Sequence, residues 1–390
     1  MRAPWDDGSL LRGPLFSDEQ LARHARALAD SHVTVPRARP VVSLLTRMRE
    51  NQRILTTNYD AIMNTVEADE QISPAAEWFI DNFHAIEKQV QMVRRDLPRS
   101  YFRLLPKLGP GFLEGHPRMF SIMWAYVTHT DSAFDPDQLA SYIQSYSARS
   151  PLELGELWAA AINLRILLVE NARRLSTQIV SADRERLLAD DVANRLLGIH
   201  PSAEPGSPRA TLDEAHPGWR ATTPSLPFSV QLLRRLTEGP STEAVEWLHE
   251  SLAGRGLDPY QAVQRELATQ SQATLTMRNI VTSMRKLEDV DWETWIESVS
   301  AVEKELQRSP GYSESDFATR NLYRSHVERL ARGSGQDEVT VTRRAARLAA
   351  EGMDGVGQHV GYWFVDRGAP ILERALGYRR TVRERLVDAI

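Results

Sequence analysis

Two Asp-x-Asp triplets, Asp135-Pro136-Asp137 and Asp289-Val290-Asp291, are the first residues in this chain that could organise a reaction. Paired hard carboxylates suit Mg²⁺ or Mn²⁺ on a nucleotide diphosphate. Both triplets also stand where a helix is expected to begin. An Asp there accepts hydrogen bonds from the first turn without any metal, and capping is the better account of each. A second group, Glu156, Asn163, Arg165 and Glu170, is polar within an otherwise apolar segment. Two carboxylates of this kind could do acid–base work on a glycoside. The competing reading is a buried ion-pair network that fixes helix register, joined by Asp81 and His84. Arg94, Arg95, Asp96, Tyr101, Arg103 and Lys107 cluster at a helix end and could hold a phosphate or a sugar, or form an interface. Against this stands the ordinary preference of cations for helix C-termini. The ten histidines show no ligand spacing, and no metal site is expected. Walker, GxGxxG, GxSxG and HExxH motifs do not occur. No catalytic residue can be named.

Composition narrows the classes further. The 390 residues are 42% hydrophobic and 25% charged, which is ordinary for a globular protein. A net charge of −5 with no dense Lys/Arg block gives no pull toward nucleic acid. No cysteine is present, which excludes disulfides, thiol nucleophiles and zinc–cysteine sites and fits a reducing, cytoplasmic compartment. The first residues lack a signal-peptide pattern. No apolar run approaches the ~20 residues of a membrane helix. The expectation is a soluble chain without a membrane span.

The elements that must position these side chains read as helices. Ser17 with Gln20, Ser73-Pro74, Asp135-Pro136, Ser150-Pro151 and Asp258-Pro259 with Gln261 look like helix starts. Phe79, Phe83, Ile86, Val90, Val93 and Leu97 step by three and four, so one helix is expected from Ser73 to Pro98. The Ser150 start leads into a helix running to about Leu197, with a break near 181–190. Almost nothing alternates with period two. The expected fold is all-α, a multi-helix array of two lobes. Residues 1–40 form an entry segment, 41–197 the first lobe, 198–227 a proline-rich linker and 228–390 the second lobe.

At this point the wording of the chain says more than its spacing. The stretches EWFIDNFHAIEKQVQMVRRDLPRSYFRLLPKL, SPLELGELWAAAINLRILLVENARRL and HVGYWFVDRGAPILERALGYR resemble the N-terminal region of bacterial cyclic β-1,2-glucan synthases of the NdvB/ChvB type. The likeness covers most of residues 40–380, in the family's order. It implies membership in a system whose full-length enzymes use UDP-glucose with a divalent metal to build cyclic β-1,2-glucan. In that family a membrane-embedded glycosyltransferase core and glycoside-processing domains follow. This chain would then be a non-catalytic helical region, or a truncated relative, at the cytoplasmic face of the inner membrane, with no cofactor of its own. Its partners would be the membrane and transferase part, and β-1,2-glucan itself. The alternative is a freestanding helical interaction scaffold.

Overall fold

A computed structural model describes residues 8–35, 43–96, 104–199, 209–236, 242–352 and 355–379. The described residues are helical almost throughout, and the all-α expectation holds. The exception is a two-residue antiparallel pair, β1 (Thr34–Val35) with β2 (Lys107–Leu108). No helix among the described residues is long and apolar enough to cross a membrane.

Local chemistry sets most helix starts. In α1 (Asp18–Ser31), Ser17 and Gln20 form the expected capping box. Helix α2 (Leu44–Glu67) buries Leu44, Met48, Leu55 and Ile62 on one face, with Arg47, Asn51 and Asn58 among them. The single helix expected from Ser73 to Pro98 is two helices, α3 (Pro74–Asp81) and α4 (Phe83–Asp96). Asn82 breaks it: its backbone leaves the helical region, and its Nδ2 donates to the Trp78 carbonyl at 2.8 Å. The apolar stripe from Phe79 to Val93 still runs across the break. Helix α5 (Arg118–His129) is buried on nearly every side, and α6 (Pro136–Ser147) starts at the Asp135 cap.

The Ser150 start is displaced. Helix α7 (Leu154–Trp158) begins with Glu153 as its cap, while Ser150 Oγ accepts from Arg118 Nη1 at 2.8 Å. A turn at Ala159 leads into α8 (Ala160–Leu197), 38 residues and about 57 Å long, without the break expected near 181–190. It ends at Gly198, whose φ of 71° is the left-handed geometry glycine adopts without strain. Every residue from Ile162 to Ser176 is buried, so this part of α8 has neighbours all round. They are α2, α3, α4, α5 and α12 (Pro259–Asp289).

The second half continues with α9 (Leu212–Ala215), α10 (Leu226–Leu236), α11 (Thr242–Ala253) and α12. Then come α13 (Trp292–Val299), α14 (Ala301–Leu306), α15 (Phe317–Ser334), α16 (Glu338–Glu351), α17 (Val360–Val365) and α18 (Ala369–Leu376). Three apolar clusters hold these elements. The largest takes residues from both sides of the proline-rich segment: Met277, Ile280, Val281, Met284 and Leu287 of α12 pack with residues of α2 to α8. A second gathers α14 to α18 around Phe364 and Leu372. The third joins the far end of α8 to α9, α10 and α11, and Trp219 of the proline-rich segment is buried in it.

A polar seam fixes α12 against the first half. Asp131 and Ser132 both adopt left-handed backbone, with φ of 49° and 63°. Thr276 Oγ1 donates to the Asp131 carboxylate at 2.9 Å, and Asn279 Nδ2 to the Asp131 carbonyl at 3.1 Å. Ser283 Oγ donates to the Ser132 carbonyl at 2.7 Å and accepts from the Phe134 N–H at 2.9 Å. Asn171 of α8 donates to Ser132 Oγ at 2.8 Å and accepts the Leu11 N–H at 2.9 Å.

The five α12 side chains in the first core are each fully buried. At ~1.5–3 kcal/mol per buried side chain they supply roughly 7–15 kcal/mol, as much as the whole stability of a typical domain. A fragment ending at residue 197 is therefore expected to lose cooperative unfolding. Urea melts followed by circular dichroism check this against the full chain; a sharp transition in the fragment would show that α12 is dispensable to the first core.

Candidate functional site

The Asp-x-Asp residues serve helix ends. Asp135 Oδ1 accepts from the N–H groups of Asp137 and Gln138, both at 3.0 Å. Asp289 is the last residue of α12, and Asp291 caps α13 through Glu293 and Thr294. No group of three or more His, Cys, Asp or Glu among the described residues is placed to hold a metal ion.

The buried polar residues of α8 do not meet in one network. Glu170 is fully buried and saturated with donors. Its Oε1 accepts from Arg47 Nη2 at 2.7 Å, Arg173 Nη2 at 2.8 Å and Arg174 Nε at 2.7 Å. Its Oε2 accepts from Arg47 Nε at 2.9 Å and Asn51 Nδ2 at 2.8 Å. Burial alone would raise its pKa, but the Arg47 hydrogen bonds and the three guanidinium charges overcome this and hold it at about 2. Such a carboxylate has no lone pair or proton affinity to offer a glycoside.

Glu156 lies elsewhere, paired with Arg118 and closing the α7 cap through the Glu153 N–H at 3.0 Å. Asn163 Nδ2 donates to the Ala159 carbonyl at 2.8 Å. Asp81 and His84, expected in the same network, are exposed on the outer side of α3 and α4. The neighbourhood of Glu156 holds a carboxyl group that sequence reasoning did not single out. Glu338, buried at the start of α16, accepts the Leu154 N–H at 2.7 Å. Burial pushes its pKa up to about 8, helped by the nearby Glu328, Glu153 and Glu156.

Arg165 leads to a cavity. Its Nε donates to Gln89 Oε1 at 3.0 Å and its Nη2 to the Leu287 carbonyl at 3.3 Å. It is 9% exposed, and among the described residues it is the one buried arginine without a carboxylate at ion-pair distance. Burial pushes its pKa down, and Asp96 and Glu288 offset this only from longer range. The guanidinium borders a cleft of about 310 Å³ together with Asp96, Gly155, Trp158, Ala161, Ile162 and Glu328. That volume is at the small end of the ~300–1,000 Å³ typical of ligand clefts. Burial raises Glu328, while Arg332, 3.0 Å from its carboxylate, opposes the rise.

The described members of the basic cluster lie apart. Arg94 donates to Gln52 at 3.1 Å on the surface, and Arg95 pairs with its neighbour Asp96 at 2.7 Å. Of the described members of this cluster, Asp96 alone lines the cleft. Lys107 sits in β2, where burial lowers its pKa to about 8. Tyr101 and Arg103 lie outside the described residues. Sequence reading missed Trp158 and Glu328. Gly155, Trp158, Ile162 and Arg165 step by three, four and three, a single helical stripe that could have been read. Glu328 arrives from a helix far along the chain and left no local signal.

Two titrations test these assignments. Glu170→Gln leaves three buried guanidinium groups around a neutral partner, and a loss of about 3–5 kcal/mol is expected in urea melts at pH 7. Because Glu170 titrates lower folded than unfolded, its contribution is present above pH 4.5 and disappears as pH falls toward 2. This window is worth about 3 kcal/mol and should be absent from the variant. Glu338 has the opposite sign: its folded pKa is raised, so the wild type should lose stability as pH rises from 4.5 to about 8. Glu338→Gln should flatten that decline in thermal melts across this range, and an unchanged slope would remove Glu338 as its source.

Comparison with known proteins adds the following. No protein-family profile matches the chain. It is 32% identical over 396 residues to cyclic beta-(1,2)-glucan synthase NdvB of Rhizobium meliloti (strain 1021), an alignment covering 99% of this chain. The chain spans 14% of the length of that relative. It is thus a distant homologue of part of a bacterial glucan synthase.

Proposed function

We propose that this chain is a helical, non-catalytic region of a cyclic β-1,2-glucan synthase system, acting in assembly with the transferase part or in guiding the glucan. One observation carries the reading: the likeness to a glucan synthase runs along 99% of the chain. The chemistry of the acids supports it. Glu170 is closed off by five donated hydrogen bonds, and Glu156 is held by Arg118 and by the α7 cap. Neither is free to act as acid or base, which disfavours a self-contained glycosidase. Polymerisation from UDP-glucose, with its metal, would belong to parts of the system outside this chain. A cytoplasmic position beside the inner membrane follows from the same reading.

The two-lobe division at 198–227 is reshaped in this proposal. Because α12 closes the first core, we propose that the proline-rich segment is a covalent crossing between packed helices rather than a hinge.

A second reading, a freestanding interaction scaffold, draws on Tyr260, Val263 and Leu267. They are 73%, 36% and 50% exposed and form an apolar row along α12. Co-expression separates the two. Tagged chain is produced with the Rhizobium meliloti synthase from which the aligned region has been deleted. The glucan-synthase reading expects stable co-purification and a change in the amount or size of β-1,2-glucan made. Neither association nor any change in glucan would overturn it and favour the scaffold.

A further inference from the structure

The Arg165 cleft combines three features that a single ligand could engage together. The first is a guanidinium nine-tenths buried without an ion-pair partner, which is costly unless something else engages it. Its Nε and Nη2 are used, while Nη1 has no hydrogen-bond partner among the described residues. The second is Trp158, a partly buried indole whose N–H is likewise without a protein acceptor among those residues. The third is a pair of carboxylates, Asp96 and Glu328, on the lining. Each is anchored by one cation, Arg95 and Arg332 respectively, and retains lone pairs beyond that contact.

The lining therefore offers an aromatic surface, fixed N–H donors and carboxylate acceptors within one small space. An anion such as phosphate would meet Arg165 but also two carboxylates. An apolar ligand would offer nothing to Arg165 Nη1 or to the spare carboxylate lone pairs. A neutral polyol satisfies every group at once. Its hydroxyls donate to the carboxylates and accept from Arg165 and the indole N–H, and its C–H face covers Ile162, Ala161 or the Trp158 ring. A glucopyranose, with equatorial hydroxyls around a C–H face, has that distribution.

We propose that the cleft between α4, α7–α8 and α15 binds a neutral glucosyl unit of a β-glucan chain, with Trp158 and Arg165 as its main contacts. This deepens the glucan-guiding part of the function proposed above and rests on it for the identity of the sugar. The binding chemistry itself rests on the cleft. Binding of glucan, rather than of UDP-glucose, is what the mixed-charge lining favours.

The test is isothermal titration of the full chain with a linear β-1,2-linked gluco-oligosaccharide, glucose, UDP-glucose and UDP. Saturable binding of the oligosaccharide is expected, with UDP-glucose binding no tighter than glucose. Trp158→Ala is expected to weaken the oligosaccharide by about tenfold or more, as truncation of a central aromatic contact does. Ala161→Leu fills the cleft without removing any polar group and should weaken it equally while leaving the thermal melt unchanged. It keeps the test valid should Trp158→Ala fail to fold. Absence of saturable binding, equal affinity in a folded Ala161→Leu variant, or binding by UDP alone would each overturn the proposal. The co-expression result is independent of these readings. Association with the synthase but no oligosaccharide binding would remove the sugar site and leave the assembly role standing.

Discussion

Residues 162–176 of α8 are surrounded on every side, yet seven of those fifteen positions carry polar or charged side chains. That constraint shapes the rest of the first core. A buried charge with no partner costs several kcal/mol, so several of these side chains fix the identity of a residue facing them. Glu170 requires Arg47 and Asn51 on α2. Asn58 of α2 meets Ser176 at 2.9 Å, and Asn171 requires the Ser132 turn. Apolar burial supplies the driving force, while these pairings decide which rotation of each neighbouring helix is allowed. Arg165 is the member of the set left with charge facing open space, which is why the cleft and the core belong to one argument.

The similarity to a glucan synthase and the physical reading meet at the acids. Sequence alone left Glu156 and Glu170 open to either acid–base chemistry or structure. The geometry separates them from each other and surrounds each with donors. What stays accessible is a small lining of mixed charge and one indole.

Where the chain could be read from sequence, the determinants were local. The Ser17–Gln20 and Asp258–Gln261 boxes and the Asp135 cap need only residues three positions apart, and all three form as expected. Where reading failed, a distant residue competed. Ser150 looks like a cap, but Arg118 takes its hydroxyl, and the helix starts four residues later. Asn82 lies beside an apolar stripe that continues past it, so periodicity passes over a break made by an amide bonding to its own helix. The closing of the first core by α12 depends on contacts more than a hundred residues apart, which proline content near 198–227 could not reveal. The candidate site was half legible. Arg165 stood out as polar in an apolar helix, whereas the sequence reading did not single out Trp158 or Glu328.

The seam between the Asp131–Ser132 turn and α12 has a consequence for how such a chain can vary in length. Thr276, Asn279 and Ser283 lie on one face of α12, and each is fixed to a backbone or side-chain atom of the turn. One residue added or removed between them would swing the later contacts by about 100° around the helix axis. Both the hydroxyl ladder and the apolar row from Met277 to Leu287 would then face the wrong way. The loops on either side carry no such register. A change of length within 276–283 is therefore costly to this packing, and the octet sets a fixed spacing between the Asp131–Ser132 turn and α12.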